Sequence, residues 1–264
     1  MLLPLHDTNP LKHIRFQYVT VGIIGVCVAV FFYQLSLGDR SERAFIFGFG
    51  AIPAVVFGIK TLPVELTQAP AVLSLVTSMF LHGGFMHLLG NMLFLIVFGI
   101  AMERHWGSLR FIGAYLISGI GAALLFIAKD PHSGIPLVGA SGAISGLMGL
   151  FVGTYRLQRL EAFYSLGFLF GSFRASALVL FPGWLGWELV QSATAQTNVA
   201  YMAHAGGLLT GLAIAFCLPY TRPKKAASDT QKGAARDTRR QAPVPRLSQQ
   251  LAEQRRFSDA QTHC

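Results

Sequence analysis

The feature that most constrains this chain is a series of uncharged apolar stretches, each about long enough to cross a lipid bilayer. A hydrocarbon core about 30 Å thick needs about 20 helical residues. Such stretches lie at Phe16–Gly38, Phe85–Met102, Phe111–Ala128 and Pro131–Tyr155, and, beyond Glu188, at Val199–Pro219. Ala175–Thr194 is a weaker sixth candidate, interrupted by Pro182 and Glu188. Only 12% of the residues are charged, against roughly 25% in soluble domains. The expected class is therefore an all-α membrane protein with a six-helix bundle.

Two further apolar segments are expected not to span. Phe45–Ile59 holds Gly48, Gly50, Pro53 and Gly58 within a short run and reads as interfacial or re-entrant. Phe163–Phe170 is shorter and ends near Arg174, so it is placed on the surface. Six spans with the N-terminus inside put 17 Lys/Arg in cytoplasmic segments and four in outer loops (Arg40, Arg43, Lys60 and Lys129). Without the C-terminal tail the ratio is still seven to four, which predicts an N-in, C-in topology. The chain divides into a short cytoplasmic segment 1–15, a membrane core 16–220 and a basic tail 221–264 read as disordered. The first residues show no cleavage site, and the first span is expected to act as an uncleaved signal anchor.

Three scattered cysteines exclude a disulfide scaffold. The net charge of +9 follows the loops and the tail rather than one face, so the expected partner of the basic residues is the lipid bilayer and not nucleic acid. No metal site or cofactor is expected, and no oligomeric state is legible.

Polar side chains inside spans are costly and are by default functional candidates. His82, His87 and Asn91 fall at or just below the outer end of the second span, and Ser141 near the start of the fourth. His204 falls about 7–8 Å below the outer edge of the sixth, at 1.5 Å per residue. Three helices thus deliver a serine, histidines and an asparagine to one layer. A serine hydroxyl becomes a nucleophile when a neighbouring base accepts its proton, and histidine titrates in the right range. Gly139 and Gly142 flank Ser141 and permit a sharp loop-to-helix turn, where free N–H groups and the helix dipole favour an oxyanion. His87 and Asn91 are spaced i, i+4 on one helix face, able to donate to one oxygen. Gly142/Gly146, Gly149/Gly153 and Gly207/Gly211 are small-residue pairs that let membrane helices approach closely, drawing His204 towards Ser141.

The run from Phe80 to Asn91 (Phe-Leu-His-Gly-Gly-Phe-Met-His-Leu-Leu-Gly-Asn), Glu103-Arg104 with Gly107, Gly139-Ala140-Ser141-Gly142-Ala143 and Ala203-His204-Ala205-Gly206-Gly207 resemble the rhomboid intramembrane serine proteases, in the family's order and over about residues 16–220. The resemblance implies a dyad of Ser141 as nucleophile and His204 as base and then acid. His87, Asn91 and the Ser141 N–H would form the oxyanion hole. It implies structural or cavity-lining roles for His82, Glu103, Gly139, Gly142 and Gly207. The substrates would be transmembrane segments of other proteins, cut near their outer end, commonly after a small residue, with access on the side of the fifth helix, at Trp184 and Trp187. Two features depart from the family pattern. Ser145 stands where many members stack an aromatic on the histidine, and Leu73-Ser74 stand in place of a Trp-Arg pair.

A transporter would need polar groups through the whole membrane thickness, whereas the inner halves of the second, fourth and sixth spans are almost wholly apolar. A catalytically inactive protein that binds membrane helices would have no need for both Ser141 and His204. Glu188 lies near the depth of His204 and reads as a protonated or cavity-facing structural residue, not a third catalytic member. The topology points to a bacterial plasma membrane. Single cysteines in a cysteine-free background test it: those at Lys60, Asp130 and Gln196 should label from outside, and those at Lys12, Leu160 and Arg240 only after the membrane is opened. If Phe45–Ile59 spans, everything after it inverts, and a cysteine at position 106 would label from the outer face.

Overall fold

The computed structural model describes residues 2–4, 16–155, 159–166, 169–194 and 201–218. Strand β1 (Leu2–Pro4) is followed by helix α1 (Tyr18–Ser36), α2 (Asp39–Phe49), the single turns α3 (Pro53–Val56) and α4 (Ser74–Thr77), then α5 (Phe85–Trp106), α6 (Ser108–Lys129) and α7 (Ser141–Tyr155). A hairpin of β2 (Arg159–Leu166) and β3 (Leu169–Ser176) leads directly into α8 (Ala177–Thr194), and α9 (Tyr201–Cys217) closes the described chain. Among the described residues, α1, α5 and α6 are long and apolar enough to cross a membrane.

The surface of α1 is the reverse of a soluble helix. Its buried stripe is Thr20, Ile23, Cys27, Phe31 and Gln34, while Val21, Val26, Phe32 and Leu35 face outward. Polar groups on the inner face and large apolar ones on the outer are what lipid selects. α7 sits at the centre, buried continuously from Gly142 to Val152.

The segment before α7 departs from the expectation of one span over Pro131–Tyr155. Only Ser141–Tyr155 is helical, 15 residues, or about 22 Å at 1.5 Å per residue. Pro131, Gly134, Pro136 and Gly139 break the pattern upstream. Non-helical backbone inside a membrane must be buried in protein or line a wet cavity, and this segment is stitched down. Ala51 and Leu137 exchange N–H···O bonds of 3.1 and 2.9 Å, Ala54 N–H donates to Ser133 O, and Gly139 N–H donates to Ser78 O at 2.8 Å. Phe45–Ile59 forms no long helix: it is split between the end of α2 and α3, with Ala51 in the bridge between them.

The expectation of an all-α chain is also corrected. β1, β2 and β3 form an antiparallel sheet, with Leu3 opposite Phe163 and Leu166 opposite Leu169. β1 is therefore on the same side of the bundle as the α7–α8 connection.

Two polar clamps hold α1, one against α5 and one against the segment just before it. Glu103, fully buried near the end of α5, accepts the N–H groups of Val19 and Thr20 (3.1 and 2.8 Å) and the hydroxyls of Thr20 and Ser108 (both 2.7 Å). Its carboxylate thereby caps the positive end of α1 and ties it to the start of α6. Four donors offset the desolvation of a buried carboxylate. At the other end, Gln34 pairs with the His82 backbone: the side-chain amide donates to His82 O at 3.1 Å and accepts from His82 N–H at 3.2 Å. α5 turns into α6 through Gly107 alone, at φ 78°, a conformation that favours glycine.

The tightest packing joins α7 to α9. A Cβ at Gly207 would overlap the Gly142 carbonyl, one at Gly211 the Gly146 carbonyl, and one at Gly149 the Leu208 carbonyl. These helices meet backbone to backbone. A methyl group there has nowhere to go without separating them, and overpacking costs about 1–3 kcal/mol. Gly207→Ala should therefore lower the midpoint of thermal unfolding in detergent. Gly22→Ala, with open space around it, should leave it unchanged or raise it slightly, because alanine is the better helix former. Equal behaviour of the two would remove the contact's structural importance.

Candidate active site

Ser141 is the first residue of α7, so its N–H has no partner one turn earlier in the helix. The turn into it depends on Gly139, at φ 119°. A side chain there would be strained, and its Cβ would also come within 2.7 Å of His87 Cε1 and Nε2 and 3.5 Å of Asn91 Nδ2. Glycine is thus required twice over, by conformation and by the closeness of α5. One turn into α7, the Ser145 hydroxyl donates to Ser141 O at 2.8 Å.

The Gly142–Gly207 contact sets the position of His204. Gly142 follows Ser141 directly, and Gly207 lies three residues, about one turn, beyond His204. With those backbones touching, His204 Nε2 stands 2.9 Å from Ser141 Oγ, a hydrogen bond between residues 63 apart in sequence. Beside His204 lies Trp184 of α8, ring centroids 5.8 Å apart and planes 33° from parallel.

His87 and Asn91 lie on the first two turns of α5. The Gly83 N–H donates to His87 Nδ1 at 3.4 Å. That bond favours the tautomer in which Nε2, the atom beside Gly139, carries the proton and can donate. Asn91 is buried, and its amide nitrogen has no hydrogen-bond partner among the described residues. Both side chains line a cavity of about 710 Å³ together with Ser141, Ser145, Trp184 and His204. A carbonyl oxygen next to Ser141 would find in this cavity the donors His87 Nε2, Asn91 Nδ2 and the N–H at the helix start.

The other candidates lie around this core. The His82 ring is buried, packs edge-on to His87 with centroids 5.3 Å apart, and is not among the residues lining the cavity. Gly142 and Gly207 form the helix contact beneath the Ser141–His204 pair. Glu103 is at the far end of α5 and belongs to the clamp on α1. The side chains of Trp187 and Glu188 lie outside the described residues. Sequence reasoning passed over Gln34, although a lone amide inside an apolar span was a readable signal. The Trp184–His204 contact had no such signal, because it depends on how α8 is rotated.

Comparison with known proteins bears on the family of the chain. Residues 69–221 match the family described as Rhomboid domain. The chain is 32% identical over 226 residues to RHOMBOID-like protein 6, mitochondrial, of Arabidopsis thaliana, covering 81% of this chain and 66% of that protein. It is 33% identical over 174 residues to RHOMBOID-like protein 2 of the same plant, covering 63% and 48%. A third relative, YdcA of Bacillus subtilis (strain 168), provisionally named a rhomboid protease, is 33% identical over 144 residues, covering 54% and 65%. The chain thus spans less than two thirds of the length of the relatives it matches. Their names include a mitochondrial protein as well as a bacterial one, so they give the bacterial plasma-membrane expectation no support; what stands is a membrane protein with several apolar helices. On the matched domain, this chain belongs to the rhomboid family.

Proposed function

We propose that this chain is an intramembrane serine endopeptidase, which hydrolyses peptide bonds in membrane-spanning segments of other proteins near the outer face of the bilayer. The observation that carries the reading is the 2.9 Å approach of His204 Nε2 to Ser141 Oγ at the wall of a cavity that also presents an Asn91 amide nitrogen with no partner among the described residues.

In this reading Ser141 Oγ attacks the carbonyl carbon of the scissile bond while its proton passes to His204 Nε2. The carbonyl becomes an oxyanion, held by His87 Nε2–H, Asn91 Nδ2–H and the Ser141 N–H. The imidazolium of His204 then protonates the departing amine, the C–N bond breaks, and an ester to Ser141 remains. Water, deprotonated by His204, attacks the ester and restores the serine. Donors already fixed in place cost no reorganisation when charge develops. Six crossings with both ends inside complete the proposal, counting the shorter α7, α8 and α9 as the last three. The pairing of β1 with β2 supports it, because it needs an even number of crossings between residue 4 and residue 159.

Two experiments on detergent-purified protein and a single-span reporter test this. Ser141→Ala and His204→Ala should each abolish cleavage in folded protein, and the double variant should be no worse than either, since the pair acts as a unit. Substantial cleavage by folded Ser141→Ala would end the serine protease reading. Loss of one oxyanion donor typically costs on the order of 10²–10³ in turnover. Asn91→Ala and His87→Ala should therefore depress kcat more than KM, and wild-type rates in both would make the pair structural.

A further inference from the structure

The cavity does not end at the Ser141–His204 pair. On α5 its lining runs from His87 through Gly90 to Phe94, and on α7 from Ser141 through Ser145 to Met148. Steps of three or four residues keep each set on one helix face. Each set covers seven residues, about 10 Å at 1.5 Å per residue. The cavity therefore continues as a well between α5 and α7, with Trp184 of α8 on a third side. The well has a floor. One turn beyond Phe94 and Met148, Phe98 and Phe151 meet edge to face at 5.7 Å, and Phe181 of α8 meets both, at 5.4 and 6.2 Å. Its walls are apolar: among the described residues no charged side chain lines it below the pair, and the Ser145 hydroxyl is committed to Ser141 O. Gly90 also leaves room unused, with nothing within 4 Å of the place its Cβ would take.

We propose that this well selects the substrate residue on the acyl side of the cut, and that it takes a large apolar side chain of the leucine or phenylalanine class. The inference rests on the Ser141–His204 reading above and names what that site prefers. In that reading the attacked carbon has its oxygen on His87 and Asn91, and its nitrogen at His204, which must protonate it. The third substituent is the α-carbon of the acyl-side residue, and its side chain has the well below it. The family resemblance implies cleavage commonly after a small residue, but a methyl group would leave most of this well empty. Unfilled apolar space forfeits dispersion contact on every wall. A charged side chain would lose its hydration and find no partner. Gly90 and Ser145, each one turn beyond a residue of the site, are the positions that make the room.

The test uses the full chain in detergent and single-span reporters that differ only in having alanine, leucine, phenylalanine or aspartate on the acyl side of the cut, which is mapped by mass spectrometry. The better of the leucine and phenylalanine reporters should exceed the alanine one in kcat/KM by at least about tenfold, since one methylene in an apolar pocket is worth about 10–200-fold. The aspartate reporter should be cut least. Gly90→Leu fills the well from α5 and should lower the large-to-alanine ratio by about tenfold or more. Gly90→Ala should lower it less, and serves if the leucine protein fails to fold. Wild-type protein that cuts the alanine reporter as well as the large ones would overturn the proposal and leave the protease reading in place. A ratio that filling the well does not change, or a preference that follows the residue after the cut, would do the same. Wild-type protein that cuts none of the reporters, or substantial cleavage by folded Ser141→Ala, would instead sink the serine protease reading and this inference with it.

Discussion

Where α7 and α9 cross, the carbonyl oxygens of Gly142 and Gly146 occupy the space that side chains at 207 and 211 would need. Lipid tails are as apolar as leucine, so membrane helices are not driven together by expulsion of water; close packing and polar contacts must do it. Backbone contact is the closest packing available. It also fixes register, because a slip of one residue would set a side chain against a carbonyl. Ser141 stands one residue before one partner of that contact and His204 one turn before the other. The 2.9 Å between them follows from the helix crossing beneath them.

The rest of the bundle holds this crossing at a defined place. α1 is pinned at its start by Glu103 and near its end by Gln34, so both ends of α5 are held against one helix. α5 in turn brings His87 and Asn91 to the turn at Gly139, where only glycine leaves room for them. The non-helical chain before Ser141 survives at depth because Ala51, Ala54 and Ser78 take up its backbone hydrogen bonds. Ending the helix early, instead of continuing it outward, puts a free helix N-terminus beside the cavity. That supplies a positive dipole end where negative charge would develop. α8 presents Leu178, Val179 and Val190 outward among its described residues, while Ala177, Leu180, Phe181, Trp184 and Leu185 pack on the core.

Much of this was legible in the chain. The apolar stretches give the helices because a bilayer leaves the backbone no other partner than itself, so composition and length nearly decide the element. The polar layer was legible for the same reason: Ser141, His87, Asn91 and His204 stand out against residues chosen by lipid, and depth follows from counting residues along a helix of known rise. The glycine spacing on α7 and α9 foretold close approach of those two helices.

What remained hidden depends on contacts between segments far apart in sequence. Pro131–Tyr155 reads as one span by hydropathy, yet its first ten residues are not helical, because their long-range hydrogen bonds go to Ala51, Ala54 and Ser78, far earlier in the chain. The hairpin at 159–176 was hidden because strand pairing with Leu2–Pro4 is a long-range event. The neighbour of His204 was hidden too, since the rotation of α8 about its axis is set by Phe181 wedging against Phe98 and Phe151. The sequence alone singled out which residues could do chemistry, because lipid imposes that selection locally, residue by residue. Which atoms meet was decided only in the tertiary structure, because distance between helices is set by packing and not by spacing along the chain.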